Sequence, residues 1–192
     1  MSWEGAELAG QLPYNSGMTD TETLVEGRFL RLVRKGRWEF VQRVIAPEGA
    51  VQIIALTPAG EILFVEQDRP PVGGRVLELP AGLIDGDGGP DETAEATAIR
   101  ELEEETGYAC ERVRLVHRGP TSPGSSNEFN AFFVAEGLRR IGEGGGLDSE
   151  DITVHRVPLA SAHDWLAQQA GRGLYIDPRA YTGIYWAQRE LV

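Results

Sequence analysis

Short apolar runs, broken by glycine, proline and charged residues, fill the first half of the chain, and their length and spacing predict strands. Residues 24–33 and 38–45 read as two strands turned at Lys35-Gly36. Residues 51–57 and 61–66 read as a second hairpin, turned by Pro58-Ala59-Gly60. A short strand at 76–79 is stopped by Pro80, and residues 85–90 make a Gly/Asp loop. The period then changes. Asp91 and Thr93 both suit an N-cap, and from there a helix is expected to run to Thr106 and stop at Gly107. Strands are expected at 112–118, 130–135 and 152–157, with residues 142–151 forming a flexible acidic loop. Helices are expected at 160–170 and 178–190. Strands first, one long helix in the middle and helices at the end predict a mixed α/β (α+β) sandwich. Residues 1–22 read as a loose arm, 23–46 as an N-terminal antiparallel β-hairpin element and 47–192 as the main domain.

The central helix carries an electrostatic conflict. Glu101, Glu104 and Glu105 stand at i, i+3 and i+4, so they share a face. Like charges at that spacing cost about 0.2–0.5 kcal/mol per pair. They also crowd the C-terminal end of the helix, where the macrodipole already disfavours negative charge. A hard divalent cation resolves both conflicts, because Mg²⁺ takes carboxylate oxygens and keeps waters for substrate phosphates. A solvated acidic face is the alternative.

Composition narrows the partners. The net charge of −12 repels nucleic acid and anionic membranes, so neither is expected as a partner. Any phosphate site must therefore be locally positive, through arginine or metal. One cysteine, Cys110, allows no internal disulfide and reads as a small packing residue. The chain has no apolar run long enough to span a bilayer and opens without a signal-peptide pattern, so a cytoplasmic location is expected. His117, His155 and His163 lack metal-ligand spacing and read as structural or exposed.

Glu92, Arg100, Glu101, Leu102, Glu104, Glu105, Gly107 and Tyr108 together match, at fixed spacing, the signature of the Nudix hydrolases. The chain is identified by resemblance as a member of that family, whose fold is an α/β/α sandwich with a mixed sheet. Gly82, in Leu79-Pro80-Ala81-Gly82-Leu83, resembles the glycine that opens the family's loop, although Asp85–Asp91 adds about four residues to it. The resemblance implies that Glu101 and Glu105 are the main ligands of Mg²⁺ or Mn²⁺, with two or more ions per site. Glu104 would assist, and the main-chain carbonyl of Ala81 would complete one coordination sphere. Arg100 would orient carboxylates, with Glu104 as its i,i+4 partner. Glu92, read as lying on the helix face opposite Glu101, would be a supporting group. A metal-bound water would attack phosphorus in line.

The likeness extends over roughly Glu26 to Leu159. Val65-Glu66-Gln67-Asp68-Arg69-Pro70-Pro71, then Glu78-Leu79-Pro80-Ala81-Gly82, then Ser122-Pro123-Gly124-Ser125-Ser126-Asn127-Glu128, resemble the ADP-ribose and ADP-sugar pyrophosphatase branch. That branch implies a phosphate contact for Arg69 and substrate contacts for Leu83 and Glu128; a strand-end surface charge is the other reading of Arg69. Asp68 stands where an aromatic residue is usual. Phe29 and Trp38 would stack a base, one from each of two subunits, while Glu39 accepts a hydrogen bond and Arg43 lines the site; packing within the hairpin is the alternative. The branch also implies that this N-terminal hairpin or sheet, residues 23–46, is the dimerisation element, exchanged or packed across a homodimer with shared sites. For the general base, the register from Pro158 favours Glu150 over Asp148 or Asp151, with Gly144-Gly145-Gly146 giving the loop mobility. The implied activity is hydrolysis of ADP-ribose to AMP and ribose 5-phosphate. Cleavage of another nucleoside-diphosphate sugar or dinucleotide, and a non-catalytic nucleotide sensor, are the alternatives.

Overall fold

The computed structural model describes residues 20–84, 92–147 and 150–190. Its elements in order are β1 (Glu22–Glu26), β2 (Leu30–Lys35), β3 (Trp38–Arg43), β4 (Ala50–Ala55), β5 (Glu61–Arg69), β6 (Gly74–Glu78), β7 (Ala81–Leu83), α1 (Ala94–Thr106), β8 (Tyr108–Ala109), β9 (Arg112–Pro120), β10 (Phe129–Glu136), β11 (Arg139–Arg140), β12 (Thr153–Pro158), α2 (Ala162–Gly171), β13 (Tyr175–Ile176) and α3 (Pro178–Glu190). Two four-stranded sheets, ordered β7-β4-β10-β9 and β12-β5-β6-β13, make the central layer.

Side-chain alternation explains why helices cover both faces. On β4 and β10, Val51, Ile53, Ala131 and Phe133 pack with Ala98 and Leu102 of α1. Their neighbours Ile54, Phe132 and Val134 face the other way, into a core closed by Leu166 of α2 and Ile184 of α3. β4 is buried along its whole length, as expected of a strand with both faces covered. The α/β/α sandwich therefore stands.

Several local expectations change. The stretch 24–33 is not one strand: it breaks at Gly27, whose N–H donates to Leu30 O at 2.8 Å, and β1 folds back on β2. The N-terminal element is thus a three-stranded antiparallel sheet, β1-β2-β3. β4 and β5 are not a hairpin. A single bridge, Leu56 to Ile62, joins them before they diverge into different sheets. Continuous apolar runs fit either arrangement, because a strand covered on both faces has no polar side to reveal its partner. The two-residue strands β8, β11 and β13 are too short to leave a pattern. Residues 85–90 and Asp91 lie outside the described residues. Thr93 caps α1, its side chain accepting from Ala96 N–H at 3.2 Å, and Gly107 ends it at φ 71°.

Candidate active site

The last turns of α1 form the floor of the site. Arg100 gathers three carboxylates: its Nε donates to Glu92 at 2.9 Å, and its Nη1 lies 3.0 Å from Glu101 and 2.9 Å from Glu104. Glu92 also accepts from the Thr97 hydroxyl at 2.9 Å. It lies before the N-cap rather than on a helix face, and reaches Arg100 across the first two turns. These contacts hold the Glu92 carboxyl below its ordinary range, Arg100 acting against burial.

The main chain of β7 presses against this helix. Ala81 N–H donates to Glu105 Oε2 at 3.0 Å. At Gly82 an added Cβ would collide with the Glu101 carboxylate, so only glycine allows the approach. Glu105 is 4% exposed. Burial pushes it up to about 8, against the pull of Ala81 N–H and Arg69, with Glu101 and Glu150 adding repulsion. Glu101 is pushed up to about 7 by burial, which outweighs Arg100. Glu150 adds repulsion at Glu101 as well, and the loop that carries it is bonded to the end of this helix.

That loop is docked rather than free, which corrects the expectation of mobility from Gly144-Gly145-Gly146. Gly145 N–H donates to Glu105 O at 2.8 Å and Gly146 N–H to Glu104 O at 3.0 Å. These carbonyls have no partner within the helix. The glycines have φ of 72°, 109° and 79°. A Cβ at Gly144 would strike the Thr106 backbone, and one at Gly146 would strike the Glu150 carboxylate. Glu150 itself accepts from Leu147 N–H at 2.9 Å. Asp148 lies outside the described residues, and Asp151 is turned onto Arg75 at 2.8 Å.

Arg69 ends β5 and donates to Glu78 at 2.8 Å. Buried Glu78 is also approached by Arg179 at 3.8 Å. Arg179 binds Asp177 and reaches Asn130 at 3.4 Å. Neither Glu78 nor Arg179 stood out as a site residue. Glu78 lies inside a motif read for its neighbours, and Arg179 is far away in sequence.

On the other side of this seam, Arg43 pairs with Glu128 at 2.5 Å, tying β3 to the start of β10. Glu39 is taken by Arg34 across the strand pair at 2.9 Å. Leu83 is half-buried at the end of β7, opposite Ala50. Phe29 and Trp38 are 52% and 54% exposed, so neither packs the hairpin core. They are also far apart. Trp38 pairs with Lys35 at the turn, whereas Phe29 precedes Leu30 at the other end. Six residues of strand separate them, about 20 Å. Trp38 lines a cleft of about 410 Å³ with Phe40, Pro123 and Phe129.

The donor set suits a hard divalent cation: three glutamates on one helix end, two of them desolvated, beside main-chain oxygen. Among the described residues, no three His, Cys, Asp or Glu side chains are gathered to hold an ion as they stand. Glu101 and Glu104 are turned onto Arg100, and Glu105 onto Ala81 N–H. Each of these contacts uses one carboxylate oxygen, Oε1 of Glu101 and Oε2 of Glu104 and Glu105, and the second oxygen of each is the one an ion could take.

Comparison with known proteins gives the family. Residues 46–175 match the family model described as NUDIX domain. The methanol dehydrogenase activator of Bacillus methanolicus is 36% identical over 137 residues, 69% of this chain and 72% of its own length. An ADP-ribose pyrophosphatase of Mycobacterium tuberculosis is 34% identical over 170 residues, 85% of this chain and 79% of its own. A GDP-mannose pyrophosphatase of Yersinia pestis is 34% identical over 148 residues, 73% of this chain and 70% of its own. A crystal structure of an ADP compounds hydrolase superposes with a TM-score of 0.66 at 20% identity, covering 90% of this chain and 91% of that one. By the matched residues, the shared identity with these relatives and the common fold, the chain belongs to the Nudix family as a pyrophosphohydrolase.

Proposed function

We propose that this chain hydrolyses ADP-ribose to AMP and ribose 5-phosphate with Mg²⁺ or Mn²⁺. One observation carries the reading: Glu105 is buried beside Glu101, its carboxylate accepting from the neutral Ala81 N–H and only drawn on by the charge of Arg69, with no ion pair among the described residues. Burying a carboxylate on those terms is costly unless a cation compensates it. Glu101, Glu104, Glu105 and the Ala81 carbonyl would hold the ions. Bound metal would neutralise the pyrophosphate and acidify a water.

The protein's own groups do the rest. Arg100 orients Glu101 and Glu104, and Glu92 holds Arg100 in turn. Arg69 contacts a phosphate, where its guanidinium fork suits the oxygens. Glu150 removes a proton from the attacking water. One water is consumed: its oxygen bonds to phosphorus as the bridging P–O bond breaks. Its two protons are shared between product phosphate and solvent.

Phe29 and Trp38 hold the base between them, and Glu39, Arg43, Leu83 and Glu128 complete the substrate contacts. At about 20 Å apart along one sheet, the two rings cannot face one another within a chain. A homodimer in which each site takes one ring from each subunit follows. A second reading, cleavage of another nucleoside-diphosphate sugar, is favoured by Asp68, which is exposed on β5 opposite Arg75 and offers no ring. Turnover of ADP-ribose, other sugar nucleotides, NADH and FAD with Mg²⁺ tests both. A preference for ADP-ribose is expected, and equal or better turnover of GDP-mannose would replace it with the second reading.

A further inference from the structure

Arg75, on β6, makes an unusually full set of contacts for a side chain at the rim of a sheet. Its Nε donates to Glu66 Oε1 at 2.6 Å and its Nη2 to Glu66 O at 3.2 Å. Its Nη1 donates to Asp151 Oδ2 at 2.8 Å. Nη2 also reaches Asp151 O at 3.5 Å and Thr153 Oγ1 at 3.4 Å. Glu66 is fixed in its turn, its second oxygen lying 2.9 Å from His155 Nε2. His155 packs on Trp165 with ring centroids 5.1 Å apart. The guanidinium is thus held from β5 and turns its outer face to Asp151, with Thr153 at its edge.

Asp151 directly follows Glu150. Consecutive Cα atoms are about 3.8 Å apart, so fixing Asp151 at both its carbonyl and its carboxylate restricts where Glu150 can stand. On the other side of Glu150, Gly145 and Gly146 are bonded to the last carbonyls of α1. The segment is therefore anchored to the metal-binding helix on one side and to the β5-β6 pair on the other. An exposed ion pair contributes little to stability by itself. Its consequence lies in position: a misplacement of about 1 Å in a reacting group costs up to a hundredfold in rate.

We propose that Arg75 is a positioning residue that sets the place of Glu150 over the carboxylates of α1 by clamping Asp151. This rests on the reading of Glu150 as general base. Arg75 touches no substrate; it acts through the next residue of the loop. The same clamp makes Glu66 and His155 parts of the site's support, although both lie on strands away from the Nudix signature.

The test is a double-mutant cycle on the full chain, with hydrogen exchange as a second readout. Glu150→Gln is expected to lower kcat about a hundredfold and Arg75→Ala about tenfold, each with KM changed less than about twofold. In the Glu150→Gln background, Arg75→Ala should lower kcat no further. Amide exchange at residues 150–153 should speed up in Arg75→Ala and stay at the wild-type rate in Glu150→Gln. If Arg75→Ala fails to fold, Asp151→Ala, which leaves Arg75 bound to Glu66, is read in the same way. An equal kcat loss from Arg75→Ala in both backgrounds, or unchanged exchange at residues 150–153, overturns the proposal. Wild-type turnover in Glu150→Gln overturns the base assignment and this inference with it, leaving the metal-binding reading intact. If the wild-type chain cleaves no nucleoside diphosphate, the functional reading fails, and the exchange comparison still decides whether Arg75 holds the loop.

Discussion

Glu105 shows how a site residue differs from an acidic surface residue. It is 4% exposed, and burial raises its carboxyl to about 8 from an ordinary 4.5. The folded state therefore favours the protonated form more than the unfolded chain does. The stability this contributes is present below pH 4.5 and is lost as pH rises toward about 8. Without divalent metal, thermal denaturation should show Tm falling over that range. Added Mg²⁺ should raise Tm more at pH 8 than at pH 6, because the metal displaces a proton that has already left at high pH. Glu105→Gln should flatten the metal-free profile and remove most hydrolytic activity. A profile unchanged by that substitution would detach the site from Glu105. At this scale part was legible: helical spacing put Glu101, Glu104 and Glu105 on one face and left a solvated acidic surface open, and the family signature was needed to read them as ligands. Glu78 and Arg179 did not stand out, because their contacts cross between strands and helices that spacing cannot relate.

Among the elements, α1 was the most legible, since its cap, its stop and its period all lie between Thr93 and Gly107. Strand partners were less so. β4 and β5 are joined by a short turn, with Thr57 N–H donating to Glu61 O at 2.8 Å, yet they enter separate sheets. The glycine run misled for a physical reason. Glycine permits freedom, but it equally permits a close approach that any side chain would block. Here the second use prevails, because the N–H groups of Gly145 and Gly146 meet carbonyls of α1. Gly146→Ala should then lower kcat at least tenfold by displacing Glu150. Gly60→Ala, with a comparable φ of 76° but open space around it, is the control. Both should lose about 1–2 kcal/mol of stability in urea titrations, and only Gly146→Ala should lose activity. Equal activity in the two variants would mean that the docked loop does not govern the chemistry.

For the whole molecule, the fold class was readable from the order of elements, whereas a role for the N-terminal sheet came only from the family resemblance. No periodicity reports that two exposed rings lie at opposite ends of one sheet. No helix among the described residues is long and apolar enough to cross a membrane. Under the proposed function, the exposed aromatic area at Phe29 and Trp38 is a surface for a second copy. Small-angle scattering or sedimentation should give a dimer at micromolar concentration, and specific activity should fall on dilution below its dissociation constant. The separation of Phe29 from Trp38 has a genetic consequence. Phe29→Ala and Trp38→Ala should each be nearly inactive alone. Mixed and allowed to exchange subunits, they should regain about a quarter of wild-type activity. Half of the dimers are then hybrids, and each hybrid carries one doubly damaged site and one site with both rings intact. Two broken proteins would complement one another in a test tube, as two recessive alleles do in a cell.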